Sequence, residues 1–313
     1  MLRSVVWSTE RGPPVASASA SLMRERRRRP QRAAVAVFVE TLAHLETVCG
    51  VCPLQTDSAA DAASAAAYQS CPHHLRVDSA LPEDRRERKR IQLQFMIHHL
   101  RALLRRRAPG ERTRVVEFCS GSGHIALPLA YLYPGVSVVM IDRNPRAIEI
   151  ALERIRATRA AMGDIGLLGN VHTVVADIGA YDEPFDVGVS LHACGSASDV
   201  ALEKCLVAGA SFVICPCCIG KVAHSRRSFV SRAMRAAMSC ERRFLDLVRA
   251  ADFGHSASCS AAPSTKEQLR LRCKAFVEED RRLLAEESGY SLAEVTRMPR
   301  DATSKHDVIL GAR

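Results

Sequence analysis

The chain has 313 residues, 47% of them hydrophobic and 25% charged, which excludes a wholly disordered polypeptide. Its longest uncharged stretch near the centre, Ile125 to Ile141, is interrupted by Pro128, Pro134 and Gly135, and no run approaches the roughly 18 apolar residues of a membrane span; twelve cysteines are too sparse for a disulfide scaffold, so the thiols read as reduced and the location as cytoplasmic. The formal net charge is +10, and because residues 1–110 hold 18 Lys/Arg against 10 Asp/Glu while the remainder holds 26 against 24, the expectation of a polyanionic partner, RNA, attaches to the N-terminal third.

Residues 1–32 carry eight arginines, five serines and two acids without an apolar stripe, which reads either as a disordered basic arm or as an organellar transit segment. From Ala33 to Val48, the residues Val35, Phe38, Val39, Leu42 and Leu45 recur at the spacings of one helical face and predict a short helix. Cys49-Gly-Val-Cys52, eighteen intervening residues, and Cys71-Pro-His-His74 follow. Two ligands from each of two short turns suit a tetrahedral zinc knuckle, with Cys49, Cys52, Cys71 and His74 as the ligand set and His73 as a substitute for the last. The Ala/Ser/Asp-rich residues 53–70 between them read as a loop or a weak helix. Three regions result: 1–32, 33–80 and 81–313.

A long helix is expected from Pro82 to Arg107, with acids at its start, arginines at its end and Pro109-Gly110 as the stop. Beyond it, short apolar runs (Val115–Phe118, Val136–Ile141, Val171–Ala176, Phe185–Leu191 and Ser211–Cys215) alternate with helical segments (124–133, 145–162 and 196–207). This is the pattern of an α/β fold, a Rossmann-like, mostly parallel sheet with helices on both faces. Helices over 226–243 and 266–287 and apolar pieces at 290–295 and 308–310 complete the chain.

The first strand ends in Glu117-Phe-Cys-Ser-Gly-Ser-Gly123 and runs directly into a helix. Gly121 and Gly123 let the backbone turn sharply toward a ligand, and the helix start offers free N–H donors. Asp142, nineteen residues after Gly123, ends the second strand, where a carboxylate can accept two ribose hydroxyls. Asp177 follows the third strand. Taken alone, the glycine turn also fits a dinucleotide fingerprint, so a nicotinamide-dependent oxidoreductase is a rival reading.

The acid at the head of the turn, and acids after three successive strands, resemble the seven-stranded S-adenosylmethionine-dependent methyltransferases. More narrowly, Leu81-Pro-Glu-Asp-Arg85, Glu117 to His124, Leu191-His-Ala-Cys-Gly195 with Asp199, Cys215-Pro-Cys-Cys218 and Glu286-Glu-Ser-Gly-Tyr290 resemble the methyltransferase-like part of the glutathione S-transferase C-terminal domain-containing proteins. The likeness implies a seven-stranded sheet and S-adenosylmethionine as cofactor. It implies that Glu117 helps to hold the methionine end, Asp142 the ribose and Asp177 the adenine, around a loop of Cys119, Gly121 and Gly123. Cys119 stands where many members have a further glycine. No glutathione S-transferase-like portion precedes the domain in this sequence.

Methyl transfer asks a protein to position a nucleophile and, where needed, to take its proton. His192 after the fourth strand is a candidate base; Cys194 and Cys215 are candidate nucleophiles, which requires depressed thiol pKa values. Cys217 and Cys218 are adjacent and are expected to point apart, against a metal site in that motif. The Asp/Asn-Pro-Pro-aromatic motif of many N-methyltransferases is absent. The arginine runs at 24–29, 85–90 and 101–107 suit either phosphates or a solvated face. The leading expectation is an S-adenosylmethionine-dependent methyltransferase acting on RNA; the alternative from another class is a catalytically silent adaptor that keeps the fold.

Overall fold

The alternating apolar and amphipathic segments form one sheet of seven strands in a computed structural model that describes residues 39–47, 58–108, 110–252, 265–299, 302–303 and 306–313. The strands are β1 (Arg114–Phe118), β2 (Ser137–Asp142), β3 (Val171–Val175), β4 (Val187–Ala193), β5 (Ser211–Pro216), β6 (Leu292–Arg297) and β7 (Asp307–Ala312). They lie in the order β3-β2-β1-β4-β5-β7-β6. The first five pair in parallel, and β7 runs antiparallel to both β5 and β6. The order reverses between β1 and β4, and at such a switch point the diverging loops beyond the carboxyl ends of the strands leave a crevice for a ligand.

Helices cover both faces, as the nearly continuous apolar runs of the central strands require. They are α1 (residues 39–47), α2 (Ala62–Ser70), α3 (Glu83–Arg105), α4 (Ala126–Leu132), α5 (Pro145–Met162), α6 (Ser196–Ala208), α7 (Arg232–Ala237), α8 (Glu241–Ala251) and α9 (Thr265–Glu287). Alternate strand residues sort by face. Val115, Val138, Met140 and Val189 pack with α2 to α5, while Val116, Phe118, Ile141 and Phe212 pack with α6 and the end of α9. Glu117 therefore belongs to the α3–α5 face.

Residues 62–70, expected as a loop or weak helix, form α2, whose start Asp61 caps by accepting from the Ser64 N–H at 2.6 Å. Tyr68 and Leu75 share one apolar cluster with α3 and β1, so packing is continuous across the expected boundary at residue 80. Leu42 and Leu45 of α1 pack with Phe244, Phe276 and other residues of α8 and α9. Residues 1–38, including the basic arm, and residues 48–57, including Cys49 and Cys52, lie outside the described residues.

The single helix expected over 226–243 is instead a turn followed by α7 and α8. The buried Asp280 carboxylate of α9 explains the break. It accepts from the N–H groups of Val230 and Ser231 and from the Ser231 hydroxyl, at 2.8–3.0 Å, and pairs with Arg226. Backbone donors committed to a foreign carboxylate cannot continue a helix from upstream, and Ser231 then caps α7. Asp199 of α6 receives Arg281 at 2.8 Å and Arg226 at 3.2 Å, which locks α6, α9 and the loop after β5 together.

Candidate functional site

Three residues in the loop after β1 have left-handed backbones: Cys119 (φ 55°), Gly121 (φ 54°) and Gly123 (φ 74°). Cys119 thus adopts the conformation a glycine would take, at a steric cost of about 1–2 kcal/mol, and the turn keeps its path. A Cβ on Gly123 would lie 2.7 Å from the Leu127 side chain and 2.8 Å from that of Met140, so only glycine lets the loop seat on β2. A Cβ on Gly121 would meet nothing within 4 Å; that position opens to the crevice.

The acids close this loop from beneath and beside it. Glu117 is 2% exposed and accepts from the N–H groups of Ala126 at 2.8 Å and Ile125 at 3.4 Å, at the start of α4. Burial pushes its carboxyl up to about 7, although those N–H groups, Lys89 and Arg154 act in the opposite direction. Asp142 accepts from Gly121 N–H at 2.8 Å with one oxygen and from Asn144 N–H at 2.9 Å with the other. Each oxygen keeps acceptor capacity, so a vicinal diol fits this half-buried carboxylate. Asp177 is exposed and caps its own turn through Gly179 N–H at 2.9 Å. Asp142 and Asp177 both lie close enough to Cys119 to act on its thiol, so these two acids gather at the glycine turn.

Four further residues stand around Glu117 and His192, and sequence spacing alone did not single them out. Lys89 of α3 turns inward beside Glu117, and burial lowers its ammonium to about 8. Arg154 of α5 donates to the carbonyls of Leu75 at 2.7 Å, His74 at 3.0 Å and Ser122, tying the glycine turn to the segment before α3. His124 is held neutral, its pKa lowered to about 3 by burial and by the cations Lys89 and Arg154. Gln92, 8% exposed, bonds the His192 ring at 3.0 Å and donates to the Ala302 carbonyl at 2.9 Å.

The residues expected to do chemistry separate. His192 has φ 68° and reaches the crevice side, where it adds to the field on His124. Cys215 is wholly buried in β5 and burial raises its thiol to about 12, so it is a core thiol and not the nucleophile considered above. Cys194 is exposed, and its sulfur lies 3.0 Å from that of Cys217 and 3.5 Å from that of Cys218. The expectation that Cys217 and Cys218 point apart is therefore corrected: their sulfurs are 3.8 Å apart and converge. Of the expected zinc-knuckle residues inside the described part, Cys71 is buried against the carbonyls of Ala67 and Pro128, and burial raises its thiol to about 12. His74 is exposed. Cys71 is accounted for as a packed thiol.

Residues 88–225 match the family profile described as a methyltransferase domain. The chain is 33% identical over 244 residues, 77% of its length, to a glutathione S-transferase C-terminal domain-containing protein homolog of Drosophila pseudoobscura pseudoobscura, and covers 39% of that protein. To the human glutathione S-transferase C-terminal domain-containing protein it is 30% identical over 236 residues, 75% of this chain and 34% of the relative. Among solved structures, magnesium protoporphyrin IX methyltransferase from Synechocystis PCC 6803 with bound S-adenosylmethionine superimposes with a TM-score of 0.43 at 13% identity, covering 74% of this chain and 86% of that one. The chain thus spans between a third and two-fifths of the length of these curated relatives.

Proposed function

Because the chain carries a methyltransferase domain similar to that of the glutathione S-transferase C-terminal domain-containing proteins, we propose that it binds S-adenosylmethionine in the β1–β4 crevice and transfers the methyl group to RNA. The observation that carries the cofactor assignment is the junction of Asp142 with Gly121: a carboxylate locked by two backbone donors yet half-exposed beside an open glycine. The cofactor would supply an electrophilic sulfonium methyl group. The chain's own residues hold and orient it. Glu117 and Lys89 offer opposite charges for the two ends of an amino acid, Asp142 accepts from the ribose, and Asp177 stands where an adenine amino group would donate.

A nucleophile would enter between the ends of β4 and β5, beside His192. Gln92 Oε1 accepts from its Nε2–H, which leaves Nδ1 as the nitrogen that can take a proton, and its backbone holds a sparsely populated left-handed conformation of the kind that clusters at functional sites. The RNA assignment is supported by charge. Arg85 and Arg88 are exposed on α3 next to the inward-turned Lys89, and Arg105 and Arg106 are exposed at its other end. The silent-adaptor reading draws support from the absent N-methyltransferase motif and from the burial of Cys215.

Calorimetry with S-adenosylmethionine, S-adenosylhomocysteine and NADH in parallel tests the cofactor. Incubation with methyl-labelled S-adenosylmethionine and fractionated RNA or protein tests the substrate. Tight S-adenosylhomocysteine binding with label in RNA is the expected result. Binding without transfer to any fraction favours the adaptor, and preference for NADH refutes the cofactor assignment.

A further inference from the structure

We propose that Cys194, Cys217 and Cys218 form a mononuclear zinc site on the rim of the crevice, with three thiolate ligands and an open fourth position. β4 and β5 are adjacent parallel strands, so the residues that follow them emerge side by side. Cys194 follows β4 directly, and Cys217 and Cys218 follow β5 directly. The chain does not leave β4 in the ordinary way. A register shift separates Leu191 from Ala193, His192 lies between them at φ 68°, and Gly195 has φ 60°. A Cβ on Gly195 would come within 2.8 Å of the Lys221 side chain, so the two loops are pressed together at this point. Left-handed residues on both flanks of Cys194 bend it over β5 onto the paired cysteines.

Geometry selects the ion. A tetrahedral zinc with bonds of about 2.3 Å places its thiolates about 3.8 Å from one another. The sulfur separations here are 3.0, 3.5 and 3.8 Å, so the two edges that meet at Cys194 must open to receive it, while the Cys217–Cys218 edge already fits. A [4Fe–4S] cluster binds each thiolate to a different iron and demands a wider triangle. All-sulfur ligation suits soft or borderline ions rather than magnesium or calcium. Among the described residues this is the one group of three or more ligating side chains that converges within 4.8 Å. The exposed Cys194 provides the entry path. Three protein ligands leave the fourth position to water or to an outside ligand, the arrangement of zinc centres that act on a bound molecule. The inference does not depend on S-adenosylmethionine binding.

The full chain, purified under reducing conditions with zinc present, is expected to carry one equivalent of zinc by native mass spectrometry. Cys194→Ala and Cys218→Ala should each reduce it to background while leaving the thermal midpoint at that of the metal-free parent. Cys71→Ser and Cys240→Ser should retain it, which also separates this site from a knuckle involving Cys71. Cobalt in place of zinc should show thiolate charge-transfer bands and tetrahedral visible bands, and mercaptoethanol should shift them by taking the fourth position. Wild-type protein that stays metal-free in excess zinc overturns the proposal, as does recovery of a Cys194–Cys217 disulfide from zinc-replete protein. Full zinc in Cys194→Ala overturns it too, and cobalt bands unmoved by mercaptoethanol overturn the open position.

Discussion

Replacing Glu117 with glutamine should stabilise the cofactor-free protein at alkaline pH while weakening cofactor binding. The carboxyl is buried, and burial lifts it from 4.5 to about 7, against the pull of Lys89, Arg154 and the N–H groups of Ile125 and Ala126. In the unfolded chain it ionises near its ordinary value. Between those two values the folded state holds the proton and the unfolded state does not, so stability is full below the unfolded pKa and is lost as pH rises through about 7. At about 1.4 kcal/mol per tenfold change in proton affinity, the loss is roughly 3 kcal/mol. The glutamine variant keeps an acceptor for Ala126 N–H and removes the ionisation, so the difference between the proteins reports Glu117 together with Lys89, whose ammonium Glu117 supports.

Urea denaturation at about pH 5.5 and about pH 8 measures it. From the lower to the higher pH the variant should gain on the parent by on the order of 1–2 kcal/mol, the lower figure allowing for Lys89 left without its partner. Cofactor binding runs the other way. If the ammonium of the bound amino-acid end favours ionised Glu117, binding expels the proton, and affinity of the parent for S-adenosylhomocysteine should fall up to about tenfold per pH unit below about 7. The variant should show no such slope and weaker binding throughout. A stability difference between parent and variant that does not change with pH would refute the placement of a raised, buried carboxyl at this turn. A shared, flat binding profile would refute its part in holding the cofactor.

Asp142→Ala should weaken S-adenosylhomocysteine by ~1.5–3 kcal/mol, the range for hydrogen bonds to a charged group, and calorimetry showing parental affinity would remove Asp142 from the site. Asp280→Ala should cost about 2–4 kcal/mol in urea denaturation, because it leaves Arg226 with Asp199 alone and takes the acceptor from three buried donors; a change within ~0.5 kcal/mol would show that the network is not structural. Arg85→Glu with Arg88→Glu should lower RNA affinity and flatten its salt dependence between about 50 and 200 mM while S-adenosylhomocysteine still binds. Unchanged RNA binding would mark these arginines as an ordinary solvated face and redirect the search to protein or small-molecule substrates.

Local rules made the sheet and the glycine turn legible. Apolar runs of five or six residues are long enough to set strand identity, and Gly121, Gly123 and Asp142 are placed by a single strand–turn–helix unit and its neighbour in sequence order. The helix expected over 226–243 failed because Asp280, fifty residues away, takes the backbone donors at Val230 and Ser231, a competition no local window contains. Lys89 looked like one cation in a charged run, whereas its position on α3 turns it toward Glu117. Helical spacing sets it a quarter turn from Arg88 but on the same face as Arg85, four residues earlier, and how that face is turned depends on how α3 packs against the sheet.

The thiols were the hardest to read, for a related reason. Adjacent cysteines in extended chain point to opposite sides, which is why Cys217 and Cys218 were expected to diverge. Past Pro216 the chain is no longer a strand, and Cys218 enters a tight turn at φ −89°, ψ 75° that returns its sulfur toward Cys217. The third sulfur comes from a neighbouring strand, through a left-handed histidine whose backbone angle carries no signature in its side chain. A site assembled from two loop conformations and one strand adjacency becomes visible only when all three are known together, and here each of them brings a sulfur toward the same point on the crevice rim.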